Sequence, residues 1–136
     1  MKTFKLISLD VLEKENNKVV AHSVPLLDGL IIDREDEKNQ WVIEFLLNYS
    51  ELDYFLELKN KNESILLRVK ITKESNSPAT FLSTFIEIND MGKHINVLLL
   101  SELFNKNKGM VETALKDLIE EGYEGDELLN KFKKRV

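Results

Sequence analysis

Apolar and polar residues alternate along most of the first hundred positions, the pattern expected of β-strands with one buried face. The clearest case is SILLRVKI, where one face of a predicted strand carries Ile65, Leu67, Val69 and Ile71. QWVIEFLL, ATFLSTFIEIND and KHINVLLL alternate in the same way, and Asp90–Gly92 predicts a turn between the last two. These segments predict a run of antiparallel strands.

The N-terminal third predicts strands with less regularity. TFKLISLDVLE and KVVAHSVPLL are two strands joined by KENN, and Pro25 places the second strand at an edge or bulge. GLIID and QWVIE flank the charged run REDEKN, which predicts a hairpin. LDYFLEL is interpreted as a strand that pairs with Ser64–Ile71, although Ser50 followed by Asp53 also allows a capped helical turn.

About seven short strands, with no helical segment between them, favour an antiparallel β-barrel over a parallel sheet. We therefore predict a mainly β protein with a barrel core over residues 1–104. The remaining residues, 105–136, are predicted to form a helical hairpin that is either part of the same folding unit or a small appendage to it.

The hairpin prediction comes from GMVETALKDLIEEGYEGDELLNKF, where apolar residues recur every three to four positions and glycine interrupts them. Two helices of about three turns are too short to be stable alone in water, so their apolar stripes must be buried against something. The stripes could cap an open end of the barrel, or they could contact a second subunit or a partner. The predicted interaction residues are Met110, Val111, Leu115, Leu118, Ile119, Leu128, Leu129 and Phe132.

Composition narrows the possible partners and the compartment. The chain has 136 residues, no cysteine and a formal net charge of −5, which argue for one domain without disulfides and against a nucleic-acid partner. Acidic residues interrupt the apolar start of MKTFKLISLDVLEKE too early for a signal peptide, and no stretch has the ~20 apolar residues of a membrane helix. We expect a cytoplasmic protein that does not bind a membrane.

Residues that could carry chemistry are few. His22 and His94 are the only histidines, and neither has a ligand-type residue at a fixed short offset. The acidic run Asp33–Glu44 has the spacing of a calcium loop but places Lys38 where the sharp turn requires glycine. The chain also lacks a Gly-x-Ser-x-Gly elbow and a glycine-rich phosphate loop. We therefore predict no catalytic, cofactor-binding or metal-binding residue.

The opening MKTFKL, the segment VPLLDGLIIDREDEKNQWVIE and the helical ending together resemble the YwpF-like family of small proteins from Gram-positive bacteria. The resemblance covers essentially the whole chain. It implies a core β-barrel with an appended hydrophobic helical hairpin, and a barrel similar to those of type VI secretion tube proteins. It supplies no catalytic residue.

Two functions are open at this point. The first is a non-enzymatic interaction or assembly protein that uses its hairpin to form a homo-oligomer, such as a dimer, or to bind another protein. The second is a small-ligand carrier or enzyme that uses the barrel interior, with His22, His94 or the acidic hairpin at its mouth. A cavity with converging polar groups would favour the second function, and a packed interior would favour the first.

Overall fold

The computed structural model describes residues 1–104 and 108–135, apart from the side chains of 108–112 and 135. It has seven strands, namely β1 (Lys2–Glu15), β2 (Lys18–Ser23), β3 (Asp28–Asp33), β4 (Gln40–Asn48), β5 (Ile65–Ile71), β6 (Ala79–Asp90) and β7 (His94–Phe104). Its helices are α1 (Leu52–Lys61), which follows a 3₁₀ turn at Tyr49–Glu51, α2 (Lys108–Glu120) and α3 (Gly125–Arg135). Within the described ranges, no helix combines the length and the apolar character that crossing a membrane requires.

The strands form an antiparallel barrel. Six of them close a ring in the order β1–β3–β4–β7–β6–β5, and β5 pairs back to β1. The seventh strand, β2, pairs only with β1 and lies outside this ring. The predicted antiparallel barrel with C-terminal helices is confirmed, with six of its seven strands in the barrel wall.

Strand β1 is long enough to have three partners. Residues 2–5 pair with β3, residues 6–12 with β5 and residues 10–15 with β2. Because β2 and β5 both pair with residues 10–12, they lie on opposite edges of β1. The β1–β2 turn is Asn16–Asn17, whose φ angles of 50° and 62° suit the type I′ hairpin turn. This turn pairs Glu15 with Lys18 and so fixes the register of the hairpin.

The inward-facing residues of the six ring strands form the main hydrophobic core, as their alternation predicts. Its fully buried members include Leu9, Val11, Ile31, Ile43, Phe45, Leu47, Leu67, Phe81, Ile95 and Leu99. Gly29 on β3 faces the same interior, where an added Cβ would lie 2.9 Å from Leu6 Cδ2. The interior is therefore filled by side chains and, at Gly29, by a close approach of the backbone.

The predicted strand at LDYFLEL is wrong, because these residues form helix α1. The prediction that no helix precedes the C-terminal hairpin is wrong for the same reason. The alternative of a helical turn was right, but no side chain caps the helix, so Ser50 does not play the expected part. Phe55 and Leu58 of α1 are buried in the barrel core, and the Phe55 ring lies 5.6 Å from that of Phe45. Helix α1 thus covers the barrel end where β4 finishes and β5 starts.

Helices α2 and α3 form the predicted hairpin, but they cover the side of the barrel. Leu12, Leu66 and Leu82 face outward from β1, β5 and β6, since they alternate with residues of the main core. The hairpin buries its own apolar residues against these side chains and against Phe104 of β7. Capping of a barrel end therefore falls to α1. The predicted division after residue 104 falls next to residues 105–107, outside the described ranges.

Candidate functional site

Five of the six predicted interaction residues whose side chains the structure describes are buried. Leu115, Leu118, Ile119, Leu128 and Phe132 are buried in the cluster between the hairpin and the barrel wall, and Leu129 packs against this cluster. The Phe132 ring meets that of Phe104 edge to face, with centroids 5.3 Å apart. Met110 and Val111 lie outside the described side chains. The described part of the stripe packs against the barrel wall and so stabilises the fold, while its predicted part in an interaction stays a prediction.

The barrel interior offers little polar chemistry. Among the described residues, the buried polar side chains are Thr80, Ser83 and Ser101. Ser83 and Ser101 are opposite each other on β6 and β7, and their hydroxyl oxygens are 2.7 Å apart, so one hydroxyl donates to the other. The buried Trp41 indole N–H has no hydrogen-bond partner within the described part of the chain. One self-satisfied serine pair and one indole do not converge on an open cavity.

His22 has companions that its sequence neighbourhood does not show. Its Nε2 lies 3.1 Å from a carboxylate oxygen of Glu13 and 3.0 Å from one of Glu15. The β1–β2 register causes this, because His22 is opposite Val11 and shares a face with residues 13 and 15. Although no ligand-type residue lies at a fixed short offset from His22 in the sequence, strand pairing brings two carboxylates to it. His94 lies at the start of β7, opposite Asn48, away from this cluster.

Tyr54 of α1 completes the cluster by donating its hydroxyl to Glu13, at 3.0 Å. Burial raises the pKa of the Tyr54 phenol well above its ordinary value, and the hydrogen bond to Glu13 and the nearby negative charges raise it further. The phenol is therefore a protonated donor that holds α1 to the β1–β2 hairpin.

The ligand atoms of Glu13, Glu15 and His22 lie within 4.8 Å of one another, a separation that one cation could bridge. Glu13 already accepts the Tyr54 hydroxyl, however, and Glu15 is largely exposed to solvent, which competes with a metal ion for its oxygens. We assign this cluster the structural role of joining α1 to β1 and β2.

The acidic loop between β3 and β4 forms a hairpin tip, as predicted. Asp33 accepts the backbone N–H of Glu35 at 2.9 Å, and Asp36 accepts that of Gln40 at 3.0 Å. These carboxylates therefore stabilise the turn itself.

A second apolar surface lies on the barrel wall formed by β3, β4 and β7. Its outward-facing side chains belong to neither hydrophobic cluster, and no described helix covers them. Each of them is half-buried. We call this surface the aliphatic wall, and its members are Leu30, Ile32, Val42, Leu46, Leu98 and Leu100.

The strand register makes the aliphatic wall continuous. Ile32, Val42 and Leu100 form one row across the three strands, and Leu30, Glu44 and Leu98 form the next. Glu44 lies among the aliphatic side chains and accepts a hydrogen bond of 2.9 Å from the Asn96 side-chain amide. Met91, which is 61% exposed, and Leu46 line an adjoining groove of about 240 Å³. The signal in the sequence was that VIEFLL and NVLLL are apolar on both strand faces.

Comparison with known proteins agrees with this architecture. The model of the family described as YwpF-like protein matches residues 2–135. The chain belongs to the YwpF-like family. A relative from Bacillus subtilis (strain 168), described as uncharacterized protein YwpF, is 37% identical over 136 residues, which cover 100% of both chains.

A solved structure extends the comparison for this YwpF-like chain. The crystal structure of a hypothetical protein from Staphylococcus aureus is similar with a TM-score of 0.69 and 27% sequence identity. The similarity covers 98% of this chain and 92% of that chain. The predicted membership of the YwpF-like family is thus confirmed over nearly the whole chain.

Proposed function

We propose that this YwpF-like protein is a non-enzymatic interaction protein that binds a protein partner on its aliphatic wall. The observation that carries the proposal is the continuous block of six aliphatic side chains on a barrel wall that no described helix covers. Contiguous apolar surfaces of this kind mark protein interaction sites.

On the opposite side of the barrel, a similar apolar outer surface is covered by the chain itself. There, Leu12, Leu66 and Leu82 also face outward, and the helical hairpin packs against them. The barrel is therefore apolar on two outer sides, and its own chain covers one of them. A partner on the aliphatic wall would do for β3, β4 and β7 what the hairpin does for β1, β5 and β6.

The packed interior supports an interaction role over a carrier or enzyme that uses the inside of the barrel. The fully buried Phe45, Phe55 and Phe81 fill the space that such a ligand would need. The likeness to type VI secretion tube proteins, which the family resemblance implies, stays a prediction about assembly.

A charge on the aliphatic wall should prevent the interaction while sparing the fold. The double variant Leu98→Glu and Leu100→Glu places carboxylates on two adjacent outward positions. Thr113→Glu is the control, because Thr113 is exposed on α2, and the hairpin lies on the opposite side of the barrel from the aliphatic wall. Far-ultraviolet circular dichroism and thermal melting check that each variant is folded.

The readouts are molar mass by light scattering at high micromolar concentration and affinity capture from cell lysate. If the partner is a second copy, the wild type and Thr113→Glu should be dimers and the double variant a monomer. If the partner is a different protein, the wild type and Thr113→Glu should capture it and the double variant should not. A monomeric wild type whose captured proteins are the same as those of the double variant would refute the proposal.

A further inference from the structure

The strand outside the barrel ring, β2, has one free edge. The Val24 N–H donates to the Leu9 carbonyl at 2.9 Å, which shows which residues of β2 form hydrogen bonds to β1. Every second residue does so: the even-numbered residues of β2 bond to β1, and the odd-numbered residues direct their N–H and C=O groups away from it. Val19, Ala21 and Ser23 therefore present their backbone groups to the free edge.

Helix α2 lies close to β2, and Val19 packs against the cluster under the hairpin, but the backbone edge of β2 has no hydrogen-bonded neighbour in the described part of the chain. Within the described part of the chain, no hydrogen bond reaches the backbone groups of Val19, Ala21 or Ser23 on that side. Ala21 and Ser23 are exposed. An unpaired row of N–H and C=O groups is a site where another extended chain can pair.

Grooves lie on both faces of the sheet beside this edge. On the hairpin side, a groove of about 260 Å³ has an apolar floor of Leu12, Val19 and Ala21 and is bordered by Lys18, Arg68 and Lys116. On the α1 side, a groove of about 190 Å³ is lined by residues 22–25 of the chain together with Glu51, Tyr54 and Phe55. Alternate side chains of an added strand would point to opposite faces and so to these two grooves.

The groove on the hairpin side is cationic in a chain whose formal net charge is −5. Arg68 forms an ion pair with Asp10 at 3.2 Å. Lys116 of α2 has no ion-pair partner among the residues that the structure describes. An acidic side chain would therefore be favoured in this groove, whereas the groove on the α1 side has the apolar Val24, Pro25 and Phe55.

We propose that β2 accepts an extended segment of a partner protein as an added strand, with acidic side chains in the hairpin-side groove and apolar ones in the α1-side groove. Main-chain hydrogen bonds to residues 19, 21 and 23 hold such a segment, and the two grooves select its side chains. This surface is separate from the aliphatic wall and does not depend on it.

The test uses the full chain and fluorescently labelled decapeptides in anisotropy titrations. An alternating Val–Glu peptide presents carboxylates on one face and valines on the other. The comparison peptides are an alternating Val–Lys peptide and a Val–Glu peptide with every amide N-methylated, which has no backbone N–H to donate to β2 from either edge. The Val–Glu peptide should bind at least tenfold more tightly than either. Equal affinity for all three, or no binding of the Val–Glu peptide at millimolar concentration, would overturn the proposal.

Variants of the chain locate the site. Ala21→Pro removes an edge N–H that bonds to nothing in the free protein, so the β1–β2 ladder survives while strand addition is blocked. Lys116→Glu reverses a groove charge, and Lys93→Glu at the exposed β6–β7 turn is its control. Ala21→Pro and Lys116→Glu should each weaken Val–Glu binding at least tenfold, and Lys93→Glu should not. Unchanged binding to Lys116→Glu would refute the site even if Ala21→Pro failed to fold.

Two further outcomes distinguish binding at β2 from binding at the aliphatic wall, and a partner protein from a second copy of this chain. The Leu98→Glu and Leu100→Glu double variant should bind the Val–Glu peptide like the wild type, because the aliphatic wall is a different surface. Loss of peptide binding in that variant would contradict the assignment to β2. If the wild type is a dimer and Ala21→Pro is a monomer, the strand added to β2 comes from a second copy of this chain. That result would overturn the proposal of a different partner protein.

Discussion

At the scale of single residues, the hydrogen bond from Tyr54 to Glu13 links α1 to the hairpin outside the barrel ring. Burial, and then Glu13, raise the pKa of Tyr54 above its ordinary value of about 10. The unfolded chain can lose this proton near pH 10, while the folded chain retains it. The stabilising contribution is therefore complete below pH 10 and is lost as the pH rises above it.

We expect the free energy of unfolding of the wild type to fall more steeply above pH 10 than that of Tyr54→Phe, by about 1 kcal/mol between pH 10 and pH 11. Urea denaturation at pH 8, 10 and 11 measures it. Tyr49→Phe is the control, because Tyr49 is 46% exposed and has no partner for its hydroxyl among the described residues. Equal slopes for the wild type and Tyr54→Phe would contradict the prediction.

The sequence predicts the inward-facing residues well, since alternation alone identifies Ile43, Phe45 and Leu47 as core residues. It did not reveal the cluster around His22, because Glu13 and Glu15 are brought there by strand pairing and not by sequence spacing. A signal was present in Asn16–Asn17, since two asparagines suit a two-residue type I′ turn. That turn would have fixed the register and placed the three side chains on one face.

At the scale of elements, LDYFLEL shows where periodicity fails as a guide. Leu52, Tyr54, Leu56 and Leu58 alternate as in a strand, but the residues that become buried are Phe55 and Leu58, three positions apart as in a helix. A segment of seven residues fits both periods. Tertiary packing decides between them, because a helix here can place Phe55 over the barrel end.

The hairpin illustrates the same limit, since its stripe was predicted but the surface that it covers was not. Leu118 is 0% exposed in the cluster between the hairpin and the barrel. Leu118→Glu would bury an unpaired charge, which lowers the free energy of unfolding by an amount on the order of several kcal/mol. The variant should therefore melt more than about 10 °C below the wild type or fail to express as a soluble protein.

Thr113→Glu adds the same charge at an exposed position of α2 and should melt like the wild type. Differential scanning fluorimetry of the two variants beside the wild type provides the comparison. A Leu118→Glu protein that is soluble and melts at the wild-type temperature would show that this side chain is accessible.

At the scale of the whole molecule, barrel and hairpin share a hydrophobic cluster and should unfold together. Leu66, Leu82 and Phe104 of the barrel wall belong to the same cluster as Leu118 and Phe132 of the hairpin. Trp41, the one tryptophan in the sequence, lies on β4 and reports on the barrel alone. Circular dichroism at 222 nm reports mainly on the helices.

We expect urea midpoints from Trp41 fluorescence and from circular dichroism at 222 nm to coincide, as two-state unfolding requires. Leu118→Ala opens a cavity only in the cluster under the hairpin and should lower both midpoints equally, at a cost of about 2–5 kcal/mol. A shift seen by circular dichroism alone would show that the hairpin is an appendage that unfolds separately.

The order in which the strands pair also has a consequence for synthesis on the ribosome. Strand β7 lies between β4 and β6, so the ring stays open until the last strand of the barrel has left the exit tunnel. Until then, β4 and β6 each have an unpaired edge, and the aliphatic side chains of β4 lack their neighbours on β7. A nascent chain that stalls before His94 would expose two such edges, the geometry that makes incomplete β proteins aggregate and that chaperones protect.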